Sequence, residues 1–114
     1  MKIYEPGLVE VIALKLVRTG SDRTNFQILK MAERGIEKGR GTNIGDIMRE
    51  TGLTKVPVNV RMNQLEKVGL VRRWRGTGLI ILTELGKIFI RAVSRGEDIV
   101  RERIMEILNN MYDS

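Results

Sequence analysis

The chain has 114 residues, a net charge of +6, and neither cysteine nor histidine. That length suits a single domain, able to bury roughly two-thirds of its unfolded surface without disulfides or a structural metal. The missing side chains exclude thiol and imidazole catalysis and the usual zinc and haem sites.

Pro6 opens a first helix expected to run to about Arg18, because proline at the first helical position loses only an amide that would be unpaired anyway. Leu8, Val9, Val11, Ile12, Ala13, Leu14, Leu16 and Val17 wrap most of it, which calls for cover on more than one side. Glu10 and Lys15 interrupt this stretch, and it is too short to span a bilayer. With no secretory leader pattern at the start, the expected compartment is the cytoplasm. Thr19-Gly20-Ser21-Asp22 is expected to break the helix, and Ser21 or Asp22 to cap a second one from about Arg23 to Arg34. Its apolar stripe is Ile28, Leu29, Ala32 and Ile36; Gly35, Gly39 and Gly41 then mark a basic loop.

A short third helix follows from Ile44 to about Glu50, with Asn43 as cap, Asp46 three residues on, and Gly52 as the left-handed stop. The fourth helix begins at Thr54 and ends before Gly69. Pro57 lies in its first turn, and Val58, Met62 and Leu65 form its core face. Val71 to Arg75 and Leu79 to Thr83 read as a hairpin closed by Gly76-Thr77-Gly78. Pairing Arg75 with Leu79 puts Trp74, Ile80 and Leu82 on one face and Val71, Leu79 and Ile81 on the other. Trp74 is accordingly expected in the core rather than as a base-stacking platform. Thr83 caps a helix from Glu84 to Val93. Ser94-Arg95-Gly96-Glu97 matches a capping box for a last helix with the stripe Val100, Ile104, Ile107, Leu108 and Met111.

The charge is concentrated. From Lys55 to Arg75 the basic residues are Lys55, Arg61, Lys67, Arg72, Arg73 and Arg75, and the sole acid is Glu66, so this stretch carries +5 of the total +6. Clustered cations are what counterion release from a polyanion needs.

The order of elements, with Ile44-Gly45-Asp46-Ile47-Met48-Arg49-Glu50-Thr51-Gly52-Leu53-Thr54, Gly69-Leu70-Val71 and Leu82-Thr83-Glu84-Leu85-Gly86, resembles a winged helix-turn-helix domain of the MarR and related bacterial or archaeal regulator type. The likeness covers residues 24–94, and departs from the pattern at Lys55-Val56-Pro57 and in a short wing. It implies a mainly α fold with a small β-hairpin wing and extra N- and C-terminal helices. It also implies that the fourth helix enters the major groove and the wing meets the backbone or minor groove.

Opposite the core face of that helix lie Val56, Val60, Asn63 and Lys67, flanked by Asn59 and Gln64. Asparagine can pair bidentately with adenine, and a small apolar group can touch a thymine methyl. Thr54 and Lys55 suit a phosphate at the helix start. Arg61 suits a phosphate or an acidic side chain, and Arg72, Arg73, Arg75 and Thr77 suit the backbone at the wing. The bland readings are that hairpin arginines are merely solvated or blunt a strand edge, and that Val56 and Val60 bind protein.

A homodimer is expected through Leu8, Ile12 and Leu16 of the first helix and Val100, Ile104, Ile107, Leu108 and Met111 of the last, presenting two reading helices to a two-fold site. No nucleophile–base pair or carboxylate constellation stands out, so no enzyme, metal or cofactor is expected. The reading is a dimeric, sequence-specific regulator of transcription that binds double-stranded DNA. The alternatives are an architectural or partition protein coating DNA with little sequence preference, and a winged-helix protein-interaction module.

Overall fold

A computed structural model describes residues 6–94 and 100–113. The order is α1 (Pro6–Ser21), α2 (Arg23–Glu37), α3 (Ile44–Thr51), α4 (Lys55–Lys67), β1 (Val71–Arg73), β2 (Ile80–Leu82), α5 (Glu84–Ser94) and α6 (Val100–Asp113). The molecule is mainly helical, with one small antiparallel sheet. Among the described residues no helix is long and apolar enough to cross a membrane.

Helix α1 does not stop at Arg18 but continues to Ser21. Gly20 is therefore not a breaker. It is buried where a Cβ would stand 2.6 Å from the Phe89 ring, so α1 and α5 approach closely because the side chain is absent. The chain turns one residue later, at Asp22, which leaves helical geometry at φ −54° and ψ 133°. Its carboxylate accepts the amides of Thr24 at 3.1 Å and Asn25 at 3.0 Å and so starts α2. Helix α2 runs beyond Arg34 to Glu37, and Ile36, expected on its inner stripe, is exposed. Ile28, Leu29 and Ala32 are fully buried.

Helix α3 is held by a reciprocal capping box. Asp46 donates its amide to Asn43 Oδ1 at 2.8 Å, and Asn43 donates its own to Asp46 Oδ2 at 3.0 Å. Gly52 ends the helix at φ 76°, a left-handed conformation that costs a residue with a Cβ strain, and its amide reaches Met48 O at 2.9 Å. The chain then enters α4, where Val58, Met62 and Leu65 are completely buried, as their spacing requires.

The sheet pairs Val71 with Leu82, Arg72 with Ile81 and Arg73 with Ile80. This is one residue away from the expected register. Since side chains alternate along a strand, the slip exchanges the two faces of β1. Val71, Ile80 and Leu82 lie in the core together. Trp74 is turned outward with Arg72 and Ile81, and is 60% exposed rather than buried. A further strand-like contact went unread in the sequence: Ile80 donates its amide to Thr42 O at 2.7 Å, so the loop before α3 closes the edge of β2. Thr42 is itself buried, with its hydroxyl donating to Met31 O at 3.0 Å.

The Leu82-Thr83-Glu84-Leu85-Gly86 segment has a physical account. The Thr83 hydroxyl oxygen accepts the Gly86 amide at 3.0 Å to cap α5, and its proton goes to Gly69 O at 2.6 Å. A Cβ on Gly86 would collide with the Leu70 carbonyl, so only glycine lets α5 start against the strand.

Helices α1 and α6 pack on one another within the single chain. This bears on three of the residues expected at a dimer interface. Leu16, Ile104 and Leu108 are 1, 1 and 5% exposed and belong to the core of their own chain, because each terminal helix covers the apolar stripe of the other. Ile12 and Ile107 are half-buried, while Val11, Leu14 and Met111 are exposed. The side chains of Leu8 and Val100, and residues 95–97 of the expected capping box, lie outside the described residues.

Candidate nucleic-acid interface

With Val58, Met62 and Leu65 turned inward, helical periodicity sends Val56, Val60, Asn63 and Lys67 outward. Val56 is 72% and Val60 49% exposed, and Asn63 and Lys67 are exposed as well. Thr54 precedes the helix but its side chain caps no amide. Pro57 has no amide to offer, so the open donors at this end are the amides of Lys55 and Val56.

The two flanks of this stripe are built differently. On one side, Arg61 reaches back to α2. Its guanidinium donates to Asp22 Oδ1 at 2.6 Å and to Asn25 Oδ1 at 3.2 Å. Asn25, nearly inaccessible, is satisfied in turn by donating to Thr19 O at 2.9 Å. Of the two partners expected for Arg61, a phosphate or an acidic side chain, the fold supplies the acid. The amide of Asn25, helped by the guanidinium of Arg61 and the amide of Thr24, holds the Asp22 carboxyl below its ordinary pKa against the opposing effect of its partial burial.

On the other side, Arg73 leans from the hairpin onto α4. It donates to Asn59 Oδ1 at 3.0 Å and to Asn63 Oδ1 at 2.9 Å, and its Nε lies 2.8 Å from Glu66 Oε1. The last contact is an ion pair whose angle does not make a hydrogen bond. Arg73 was expected on DNA. It is instead half-buried and neutralised, and acts as a clamp that orients both asparagines while leaving their amide NH₂ groups to donate elsewhere.

Pairing of Arg61 and Arg73 leaves Lys55, Lys67, Arg72 and Arg75 exposed and without an ion-pair partner among the described residues. Two of these cations lie on α4 and two on the adjoining hairpin. Thr77, at the hairpin tip, is exposed, and its hydroxyl oxygen accepts the Leu79 amide at 3.3 Å. Three contributors went unread in the sequence. Along the chain Glu66 reads only as a charge, although it holds Arg73. Asp22 reads as a cap and not as the partner of Arg61. Trp74 reads as inward, although it stands beside three arginines.

Among the described residues no cluster of acidic residues could hold a metal. No family model, curated protein or solved structure matches the chain.

Proposed function

We propose that the protein is a sequence-specific regulator of transcription that binds double-stranded DNA through a winged helix-turn-helix. Here α3, the Gly52 turn and α4 are the helix-turn-helix and the β1–β2 hairpin is the wing. The observation that carries this reading is that Lys55 and Lys67 on α4 and Arg72 and Arg75 on the adjoining hairpin are exposed and have no ion-pair partner among the described residues. Cations with no protein partner are available to release counterions from phosphates. On α4, Val56 and Val60 suit thymine methyl groups, and Asn59 and Asn63, oriented by Arg73, suit adenine edges.

Two copies joined through α1 and α6 would present two α4 helices to a two-fold site. The exposed Val11 and Leu14 on α1 support that arrangement. Occupancy of such a site would block polymerase or recruit it.

The test is selection of bound duplexes from a random pool, followed by titration of the winners at several salt concentrations. The expected result is an enriched motif and an affinity falling with a log–log slope of about −3 to −4 per protomer bound, one unit for each free cation. Uniform retention of all duplexes would favour an architectural DNA-coating protein. No duplex affinity even at low salt would overturn the reading. It would favour instead a protein-interaction module docking through Val56 and Val60, whose exposure is the observation behind that second reading.

A further inference from the structure

The outer face of the hairpin is unlike the rest of the surface. The register turns Arg72, Trp74 and Ile81 to one side, and Trp74 is the only tryptophan in the chain. Its backbone is pinned on both sides: its amide donates to Leu79 O at 2.7 Å and its carbonyl accepts the Gly78 amide at 2.9 Å. The indole therefore stands at a fixed place in the hairpin rather than on a loose loop. An exposed tryptophan forfeits the large gain of burying its ring, and such a residue typically marks a binding surface.

An open groove of about 440 Å³ runs beside it, lined by Arg72, Arg73, Trp74, Arg75 and Ile81. No acid lines it. Arg73 spends its charge on Glu66, so Arg72 and Arg75 are the cations it offers to an occupant. A flat π surface beside two free guanidinium groups complements a planar ring attached to an anion. The ring stacks, the arginines hold phosphates, and neither interaction depends on which base is present.

We propose that this outer face is a second nucleic-acid site that takes an unpaired nucleotide, with its base stacked on Trp74 and the flanking phosphates held by Arg72 and Arg75. Bases inside a duplex already cover one another's faces. The site therefore selects single strands, or bases already displaced from a duplex. It lies on the face of the hairpin opposite the Arg73 clamp and does not rest on the reading of α4 as a groove-binding helix.

Because Trp74 is the sole tryptophan, emission from the full chain reports this site alone. The chain is titrated with a short oligothymidylate, with the same strand lacking its bases, and with a duplex whose ends are closed by loops. Binding is followed independently by anisotropy of a label on each nucleic acid. The expected result is saturable quenching by oligothymidylate, with little from the abasic strand or the closed duplex. W74A should weaken the oligothymidylate by roughly 5- to 100-fold with an unchanged circular dichroism spectrum, and W74F should restore most of the loss.

The proposal is overturned if oligothymidylate binds without quenching, if W74A binds it as wild type does, or if the abasic strand competes equally. It is also overturned if emission shifts with protein concentration alone, which would make the face a contact between copies. Duplex selection that succeeds while these titrations fail leaves the groove-binding reading standing, and the reverse outcome leaves only the stacking site.

Discussion

The two faces of the hairpin carry nearly the same residue types and have opposite fates. Inward, Val71, Ile80 and Leu82 are buried, and Arg73 is folded onto Asn59, Asn63 and Glu66. Outward, Arg72 and Trp74 face solvent beside Ile81. Neighbouring arginines, identical in chemistry, become a positioning clamp in one case and an unsatisfied surface cation in the other. What separates them is the alternation of the strand and the helix that one face meets. Net charge over a segment therefore overstates what a segment can offer a polyanion, because two of the six cations between Lys55 and Arg75 are answered from within the fold.

The contrast can be broken by substitution. Leu82→Ala on the inner face should cost roughly 2–5 kcal/mol of stability by chemical denaturation, whereas Trp74→Ala on the outer face should stay within about 0.5 kcal/mol. Equal losses would mean that the indole packs inward after all. Next in size, Arg73→Ala should cost about 1–2 kcal/mol, since it strands Glu66 and releases both asparagines. In DNA binding it should blur base preference more than it alters salt dependence. The double variant R72A/R75A should do the reverse, leaving the melting temperature in place and making the salt slope shallower by about 2 per protomer bound.

A further expected effect lies at the other flank of α4. Asp22→Ala should cost about 1 kcal/mol at neutral pH through loss of the α2 cap. The Asp22 carboxyl titrates below its ordinary value in the folded chain, so its contribution is fully present above that value and is lost as pH falls through the folded one. Denaturation curves for wild type and D22A should therefore converge below about pH 4. D22N, which keeps a capping side chain without the charge, should show a flatter acid limb than wild type.

Several features were legible along the chain because they rest on local rules. The Asn43–Asp46 capping box, the Gly52 stop, the Asp22 cap, the Thr83 cap and the inward Val58, Met62 and Leu65 each depend on residues within a turn or two of one another. The outward stripe of α4 follows from the same periodicity. Local rules misled where a residue answers to a distant partner. Gly20 reads as a helix breaker, but its meaning is the Phe89 ring packed against it. Leu16, Ile104 and Leu108 read as interface residues, but they are buried in the core of their own chain.

The hairpin register belongs to that second kind. Leu79, Ile80, Ile81 and Leu82 form an unbroken apolar run, so either register places apolar side chains on both faces and the pattern cannot choose between them. The choice comes from outside the hairpin: Thr42 pairs with Ile80, the core accepts Val71 and Leu82, and α4 offers Asn59, Asn63 and Glu66 to Arg73. The sequence by itself determined which segments are helices, where they are capped, which side of α4 faces out and where the basic charge is gathered, because these are properties of short stretches of chain. Only the tertiary structure decided which cations stay unpaired and which way Trp74 points, because both depend on contacts between elements far apart in sequence.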